Sequence, residues 1–344
     1  ERRLTRVVNI GDGPMGGSFP IRVQSMTTID TMDTQGSVDQ CIRMIESGCD
    51  YVRITAPSIK QAKNLAYIKQ SLREKGFHTP LIADIHFTPN AAEFAARIVE
   101  KVRINPGNFA DKKKFDSITY TENTYQDELD RIRTKFSPLV SICKEYGTAM
   151  RIGTNHGSLS DRILSRYGDT PLGMVESALE FIRICEDLNY FDLVLSMKSS
   201  NPQVMVQAYR LLVVKLEEEG LQPYPLHLGV TEAGEAEDGR IKSAVGIGTL
   251  LEDGLGDTVR VSLTEAPEVE APVAKILIDQ IIERKNPIDL DPAVNSPIDP
   301  YNYSRRKTLE VLNFGRKNVP RVIADFSNNK NIDTKRLKSV GHFY

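Results

Sequence analysis

Val102-Arg103-Ile104-Asn105-Pro106-Gly107-Asn108 reads as a short buried strand that runs into a loop rich in backbone donors. Side chains on a strand alternate between its two faces, so Arg103 points away from Val102 and Ile104. A cation placed that way is costly to bury unless an anionic group meets it. The same apolar–arginine–apolar word recurs as Val52-Arg53-Ile54, Met150-Arg151-Ile152 and Val259-Arg260-Val261.

Outward from this stretch, apolar strand words alternate with amphipathic helix words. Strands are predicted at 21–26, 51–55, 81–85, 101–105, 149–153, 192–197, 226–230 and 258–263. Helices are predicted near 37–47, 58–75, 90–100, 126–146, 171–188, 202–219, 239–252 and 267–284. Strands that are apolar almost throughout, each followed by a helix, indicate a parallel sheet covered by helices. Eight such units close a (β/α)8 TIM barrel, usually of about 250 residues. The fold class expected is therefore α/β, with an open doubly wound sheet as the alternative architecture.

Residues 6–23 predict a β-hairpin with arms at 6–10 and 19–23. Its turn, Gly11-Asp12-Gly13-Pro14-Met15-Gly16-Gly17, formally contains GxGxxG. A strand rather than a helix follows it and Pro14 interrupts it, so the dinucleotide-binding reading fails on context and a glycine turn is expected. Insertions at 107–125 and 154–170 lengthen the loops after the fourth and fifth strands, on the side where barrel active sites are built. From Asn286 the dipeptides Asn286-Pro287, Asp291-Pro292, Ser296-Pro297 and Asp299-Pro300 mark a linker that cannot be helical. A helix at 305–313 and a strand at 321–325 are expected beyond it. The organisation read from sequence is a barrel over 1–285, then a linker and the start of a further domain over 286–344.

Of the 344 residues 40% are hydrophobic and 26% charged, with a net charge of −2 and no tryptophan. That balance argues against a protein built for nucleic acid. No apolar run approaches the ~20 residues needed to span a bilayer. Cys41, Cys49, Cys143 and Cys185 form no CxxC pair and match no zinc or iron–sulfur spacing. Each lies in an apolar helical context, so free packed thiols and a reducing, cytoplasmic compartment are expected.

Strand parity makes the arginine words testable. Arg53, Arg103 and Arg260 fall on the second, fourth and eighth strands, and Lys198 ends the sixth. Alternate strands of such a barrel share a layer of inward side chains, so these four cations are expected at one level near the mouth, with Arg151 of the fifth strand beside them. Like charges in a narrow pocket repel unless an anion compensates, and arginine forks suit phosphate oxygens. The alternative is that each arginine pairs with a local carboxylate as structural glue. Asn105 and Asn108 around Pro106-Gly107, and Gly153-Thr154-Asn155-His156-Gly157-Ser158, supply further donors for phosphate oxygens. Gly246-Ile247-Gly248 allows either close backbone approach or helix–strand packing. Asp84 and His86 face one side of the third strand, where Asp84 can orient the imidazole and His86 can donate to phosphate or shuttle a proton. Glu232 follows the seventh strand as the acid at that rim, a candidate acid/base or hydroxyl anchor, against a salt bridge to Lys198 or Arg260. Ser262 shares the face of Arg260.

Tyr51-Val52-Arg53-Ile54-Thr55, Ala83-Asp84-Ile85-His86-Phe87, the opening stretch, Arg151-Ile152-Gly153-Thr154-Asn155-His156-Gly157-Ser158-Leu159 and Leu228-Gly229-Val230-Thr231-Glu232-Ala233-Gly234 together resemble the GcpE family, the 4-hydroxy-3-methylbut-2-enyl diphosphate synthases. The resemblance runs in order over about residues 1–285. Asn295-Ser296-Pro297-Ile298-Asp299-Pro300-Tyr301 and the insertions are similar to its longer, three-domain form. It implies a TIM barrel, an inserted middle domain and a C-terminal [4Fe-4S] domain. It also implies reductive dehydroxylation and ring opening of 2-C-methyl-D-erythritol 2,4-cyclodiphosphate, with electrons from ferredoxin or flavodoxin. Arg53, His86, Arg103, Arg151, Asn155, Lys198, Arg260 and Ser262 match the diphosphate-binding positions, and Glu232 matches the acid near the departing hydroxyl. One departure matters: the family's cluster ligands are three cysteines and a glutamate, and no cysteine follows Asn286. The resemblance therefore implies a chain that binds substrate while the cluster sits on a domain outside it. A homodimer is compatible with this reading; nucleic acid and membrane are not expected partners. A pterin-type transferase such as dihydropteroate synthase, or a non-catalytic phosphate-binding barrel, are the alternatives.

Overall fold

The structure, a computed structural model, describes the chain except residues 86–87, 111–119, 284–298, 300, 302 and 322–344. It falls into two compact units, Glu1–Leu290 and Asp291–Tyr344.

In the first unit, strands β1 (Val8–Ile10) and β2 (Gly13–Met15) form an antiparallel pair with Val8 opposite Met15. The barrel strands follow: β3 (Arg22–Met26), β4 (Tyr51–Thr55), β5 (Leu81–Asp84), β6 (Lys101–Ile104), β7 (Ala149–Asn155), β8 (Leu193–Lys198), β9 (His227–Leu228) and β10 (Thr258–Val259). They pair in parallel in the order β8-β7-β6-β5-β4-β3-β10-β9, and a parallel bridge from Leu195 to Leu226 closes the ring. The α/β barrel expected from eight strand–helix units is the fold observed.

Ten α-helices lie among the described residues: α1 (Thr34–Glu46), α2 (Ile59–Glu74), α3 (Pro89–Ala95), α4 (Pro106–Phe109), α5 (Glu122–Tyr146), α6 (Asp161–Tyr167), α7 (Pro171–Asp187), α8 (Pro202–Glu218), α9 (Ala236–Glu252) and α10 (Glu270–Ile282). Side chains accept from first-turn amides at Asp33, Ser58, Thr121, Ser160, Thr170 and Asn201, which satisfies donors a helix start leaves open. Val52, Ile54, Val102 and Ile104 join the layer between sheet and helices. The alternate residues Arg53 and Arg103 therefore face the lumen.

Three sequence expectations are corrected. The hairpin turns earlier than predicted, at Gly11-Asp12, with Gly11 at φ 54°, and its second arm is Gly13–Met15 instead of 19–23. The reason is burial: Val8, Ile10 and Met15 pack against Tyr51, Ile82, Ala149 and Val194 as an apolar floor, whereas Phe19 is exposed. Pro14 is tolerated because this two-stranded pair is all edge. The second insertion carries helix α6, where only a lengthened loop was expected. In the second unit the helix expected at 305–313 is not formed: the chain is irregular up to a tight turn in which Val311 and Phe314 exchange backbone hydrogen bonds of 3.0 Å. Leu309 and Leu312 are 84% and 88% exposed, so no apolar face is packed to stabilise a helix there. Of the strand expected at 321–325, Arg321 is not in a strand and the rest lies outside the described residues.

Candidate active site at the barrel mouth

Asp84 on β5 stands between two arginines. Its Oδ1 lies 3.1 Å from Nη1 of Arg103 on β6, and its Oδ2 lies 3.4 Å from Nε of Arg53 on β4. Arg103 also donates through Nη2 to the Gly153 carbonyl (2.9 Å) and to Oδ1 of Asn155 (3.3 Å), both on β7. Arg53 rests against the Met26 sulfur at 3.0 Å. Arg151 donates to the Ser196 hydroxyl at 3.3 Å. Arg260, just past β10, meets Glu270 of α10 as a two-pronged pair at 3.0 and 3.1 Å. Glu270 accepts from the Ser25 hydroxyl (2.6 Å) and from the amide of Leu263 (3.1 Å) as well, which fixes the segment carrying Ser262.

Lys198 completes the group. Its ammonium makes no hydrogen bond or ion pair among the described residues, and burial followed by Arg151, Arg53, Arg260 and Arg103 pushes its pKa well below the ordinary lysine value. Burial, only partly offset by Asp84, lowers Arg53 to about 10. The four cations singled out by strand parity and Arg151 beside them thus act on one another. Asp84 and Glu270 neutralise part of their charge, as the structural-glue alternative requires, and the remainder is uncompensated among the described residues.

Two glycines, Gly153 on β7 and Gly229 just past β9, make room for these cations. A Cβ on Gly153 would stand 2.7 Å from Nε of Arg103, and one on Gly229 would stand 2.8 Å from Nζ of Lys198. Gly153→Ala is expected to push the Arg103 guanidinium off Asp84 and weaken pyrophosphate binding about tenfold, or ~1.4 kcal/mol; calorimetry on the folded variant reads it directly.

The loop residues are held differently from one another. Asn105, 3% exposed, caps α4 by accepting from the Gly107 amide (3.3 Å) and reaches the Ser158 hydroxyl at 3.4 Å. Gly107 lets the two loops touch, since a Cβ there would come 1.9 Å from the Ser158 carbonyl oxygen. The His156 amide donates to the Lys198 carbonyl (2.8 Å) and its ring stands 3.3 Å from Asp169. Gly246 proves to be a packing residue: a Cβ would lie 2.7 Å from Cγ2 of Val230. Ser262 is half-buried. Glu232 is exposed at the rim with φ 51°, an uncommon backbone state for a non-glycine residue, next to Thr231, whose amide is tied to the Ser199 carbonyl at 3.1 Å. His86 lies outside the described residues.

Sequence reasoning missed three members of this lumen. Lys101 was within reach, because it precedes Arg103 by two on one strand and so shares its face. His227 opens its strand, β9, and carried no motif. Glu270 lies on a helix ten residues past Arg260, and nothing in its neighbourhood marks it as a partner.

The four cysteines are free and buried, Cys41 on α1 and Cys49 just past it, Cys143 on α5 and Cys185 on α7. Burial pushes the thiols of Cys41, Cys49 and Cys143 up to about 12. No three of these cysteines come together, so they do not fit an iron–sulfur cluster. No trio of histidine, cysteine, aspartate or glutamate able to hold a metal occurs among the described residues, and no described helix is long and apolar enough to cross a membrane.

Over most of its length the chain is similar to proteins of known name. A protein named 4-hydroxy-3-methylbut-2-en-1-yl diphosphate synthase (flavodoxin) from Leptospira interrogans is 58% identical over 311 residues, 90% of this chain and 47% of its own length. One of the same name from Parabacteroides distasonis is 56% identical over 328 residues, 95% of this chain and 54% of its own. The chain thus spans about half the length of the curated relatives it matches. Among solved structures, a dihydropteroate synthase from Xanthomonas albilineans covers 82% of this chain and 99% of its own at 13% identity and TM-score 0.50. An N-acetylneuraminic acid synthetase from Leptospira borgpetersenii covers 83% and 93% at 12% identity and TM-score 0.50. At such identities the likeness is one of fold alone. The description "GcpE TIM-barrel domain" matches residues 5–275, and with a match of that extent the chain belongs to the GcpE family.

Proposed function

We propose that this chain is the substrate-binding barrel of an enzyme of isoprenoid biosynthesis. The reaction converts 2-C-methyl-D-erythritol 2,4-cyclodiphosphate to 4-hydroxy-3-methylbut-2-enyl diphosphate. Two electrons and two protons enter, a ring carbon–oxygen bond to phosphate breaks, and a hydroxyl leaves as water. The names of the relatives point to this activity and to flavodoxin as electron donor. The observation that carries the reading is the gathering of Arg53, Arg103, Arg151, Lys198 and Arg260 at one end of the barrel with, among the described residues, only Asp84 and Glu270 against them.

In this reading the guanidinium forks of Arg53, Arg103 and Arg260 and the ammonium of Lys198 hold the diphosphate, with Arg151 beneath and Asn155, Ser262 and His86 completing the donor set. Asn105 is a positioning residue, because its side chain joins the two loops. Asp84 sets the spacing of Arg53 and Arg103 and stands two residues from His86. Glu232 supplies the proton to the departing hydroxyl. The [4Fe-4S] cluster that delivers electrons is assigned to a part of the protein other than this barrel, whose thiols do not suit it.

Glu232→Gln in the complete protein is expected to slow turnover while leaving cyclic diphosphate binding nearly intact. Binding is read by calorimetry and turnover with flavodoxin and a reductant. A collapse of binding with a normal single-turnover rate would make Glu232 an anchor instead of a proton donor.

A further inference from the structure

The side chain that β3 brings to the rim is a methionine. Val23 joins the layer toward the helices, so Gln24 and Met26 face the lumen. Met26 is the register partner of Arg53, and its half-buried sulfur is surrounded by donors. It lies 3.1 Å from Nε and 3.0 Å from Nη2 of Arg53, and 3.8 Å from the Thr55 hydroxyl. The Thr27 amide donates to the Arg53 carbonyl at 2.9 Å, which ties the two strand ends together. A methionine that only filled a gap would sit among apolar neighbours.

The contact selects one edge of a guanidinium that is 6% exposed. Nε and Nη2 turn toward the sulfur, and Nε also stands 3.4 Å from Oδ2 of Asp84. That carboxylate is shared with Arg103, which it meets at 3.1 Å. Nη1 makes no hydrogen bond among the described residues, so the Nη1–Nη2 edge is the one left to meet an anion.

The choice of atom matters. A hydrocarbon would offer the Nε–Nη2 edge no acceptor, and buried donors without acceptors are costly. A carboxylate would bond both strongly and cancel the charge. A thioether is a weak, neutral acceptor. It fixes the direction of the fork and leaves its charge for a ligand.

We propose that Met26 is a positioning residue for diphosphate binding: its sulfur holds one edge of Arg53 so that the other faces the phosphate oxygens. This deepens, and rests on, the reading of the rim as a diphosphate site.

The test is calorimetric titration of the complete protein with pyrophosphate. Met26→Leu keeps the bulk and removes the acceptor. The Arg53 fork then turns to Asp84 and away from the ligand, and affinity is expected to fall about fivefold. Met26→Gln, which restores a neutral acceptor, is expected to return it to within about twofold of wild type. In an Arg53→Lys background Met26→Leu is expected to cause no further loss, since lysine has no second edge to hold. Wild-type affinity in Met26→Leu would overturn the proposal. So would an equal loss in Met26→Leu and Met26→Gln, or an equal loss with and without Arg53, because either would mean packing alone. A crystal structure of the wild type with pyrophosphate tests the same geometry without a variant. Phosphate oxygens on Nη1 with the sulfur still on Nε are expected, and an Arg53 swung off the sulfur would count against it. If the wild type does not bind pyrophosphate, the reading of the rim fails and the assignment falls with it. If it binds and Met26→Leu binds equally well, only the assignment to Met26 fails.

Discussion

Arg103→Ala is expected to weaken binding of the proposed cyclic diphosphate by about 2–5 kcal/mol, a loss of roughly thirtyfold to several thousandfold. The magnitude follows from how the side chain is held. Arg103 is 5% exposed and anchored on three sides, by Asp84, the Gly153 carbonyl and Asn155. A fork already oriented by its neighbours gives up little entropy when an anion arrives. Truncation removes the charge, releases Asn155, and leaves Asp84 facing the anion with Arg53 to screen it. Titration of the folded variant decides the matter. Unchanged affinity would place Arg103 outside the binding set and leave it a structural partner of Asp84.

Asp84→Asn separates stability from binding. Removing the charge of one partner from a buried ion pair leaves the others uncompensated, and the usual loss is about 3–5 kcal/mol. Here two guanidinium groups share the one carboxylate, at 3.1 and 3.4 Å. The variant should therefore be less stable to denaturant by about that amount, a large share of the ~5–15 kcal/mol typical of a folded domain. The same change makes the rim more positive by one charge, so pyrophosphate should stabilise the variant more than it stabilises the wild type. Denaturation with and without pyrophosphate measures both signs. Near-wild-type stability with a loss of turnover would instead identify Asp84 mainly as the residue that orients His86.

Much of this molecule can be read one residue type at a time. Alternation along Val102-Arg103-Ile104 and its three sister words places apolar residues toward the helices and cations toward the lumen, because a strand has only two faces. Counting strands then brings Arg53, Arg103, Lys198 and Arg260 to one end, since parallel strands in a closed ring all present the same end to the same side. The helix expected at 305–313 failed for the converse reason. Its pattern was apolar enough, but a helix forms where its apolar face is covered, and Leu309 and Leu312 remain exposed.

The sequence by itself determined the α/β class, the eight strand–helix units and the inward turn of the arginines, because these depend on periodicity and strand count alone, while closure of the sheet into a barrel, against the open alternative, came from the structure. Tertiary structure decided which acids answer those cations. Asp84 is shared by two arginines, and Glu270 reaches Arg260 from the last helix. Such pairings depend on distances across the lumen between chain segments far apart in sequence, and no local pattern encodes a distance of 3 Å between residues that only closure of the sheet brings together.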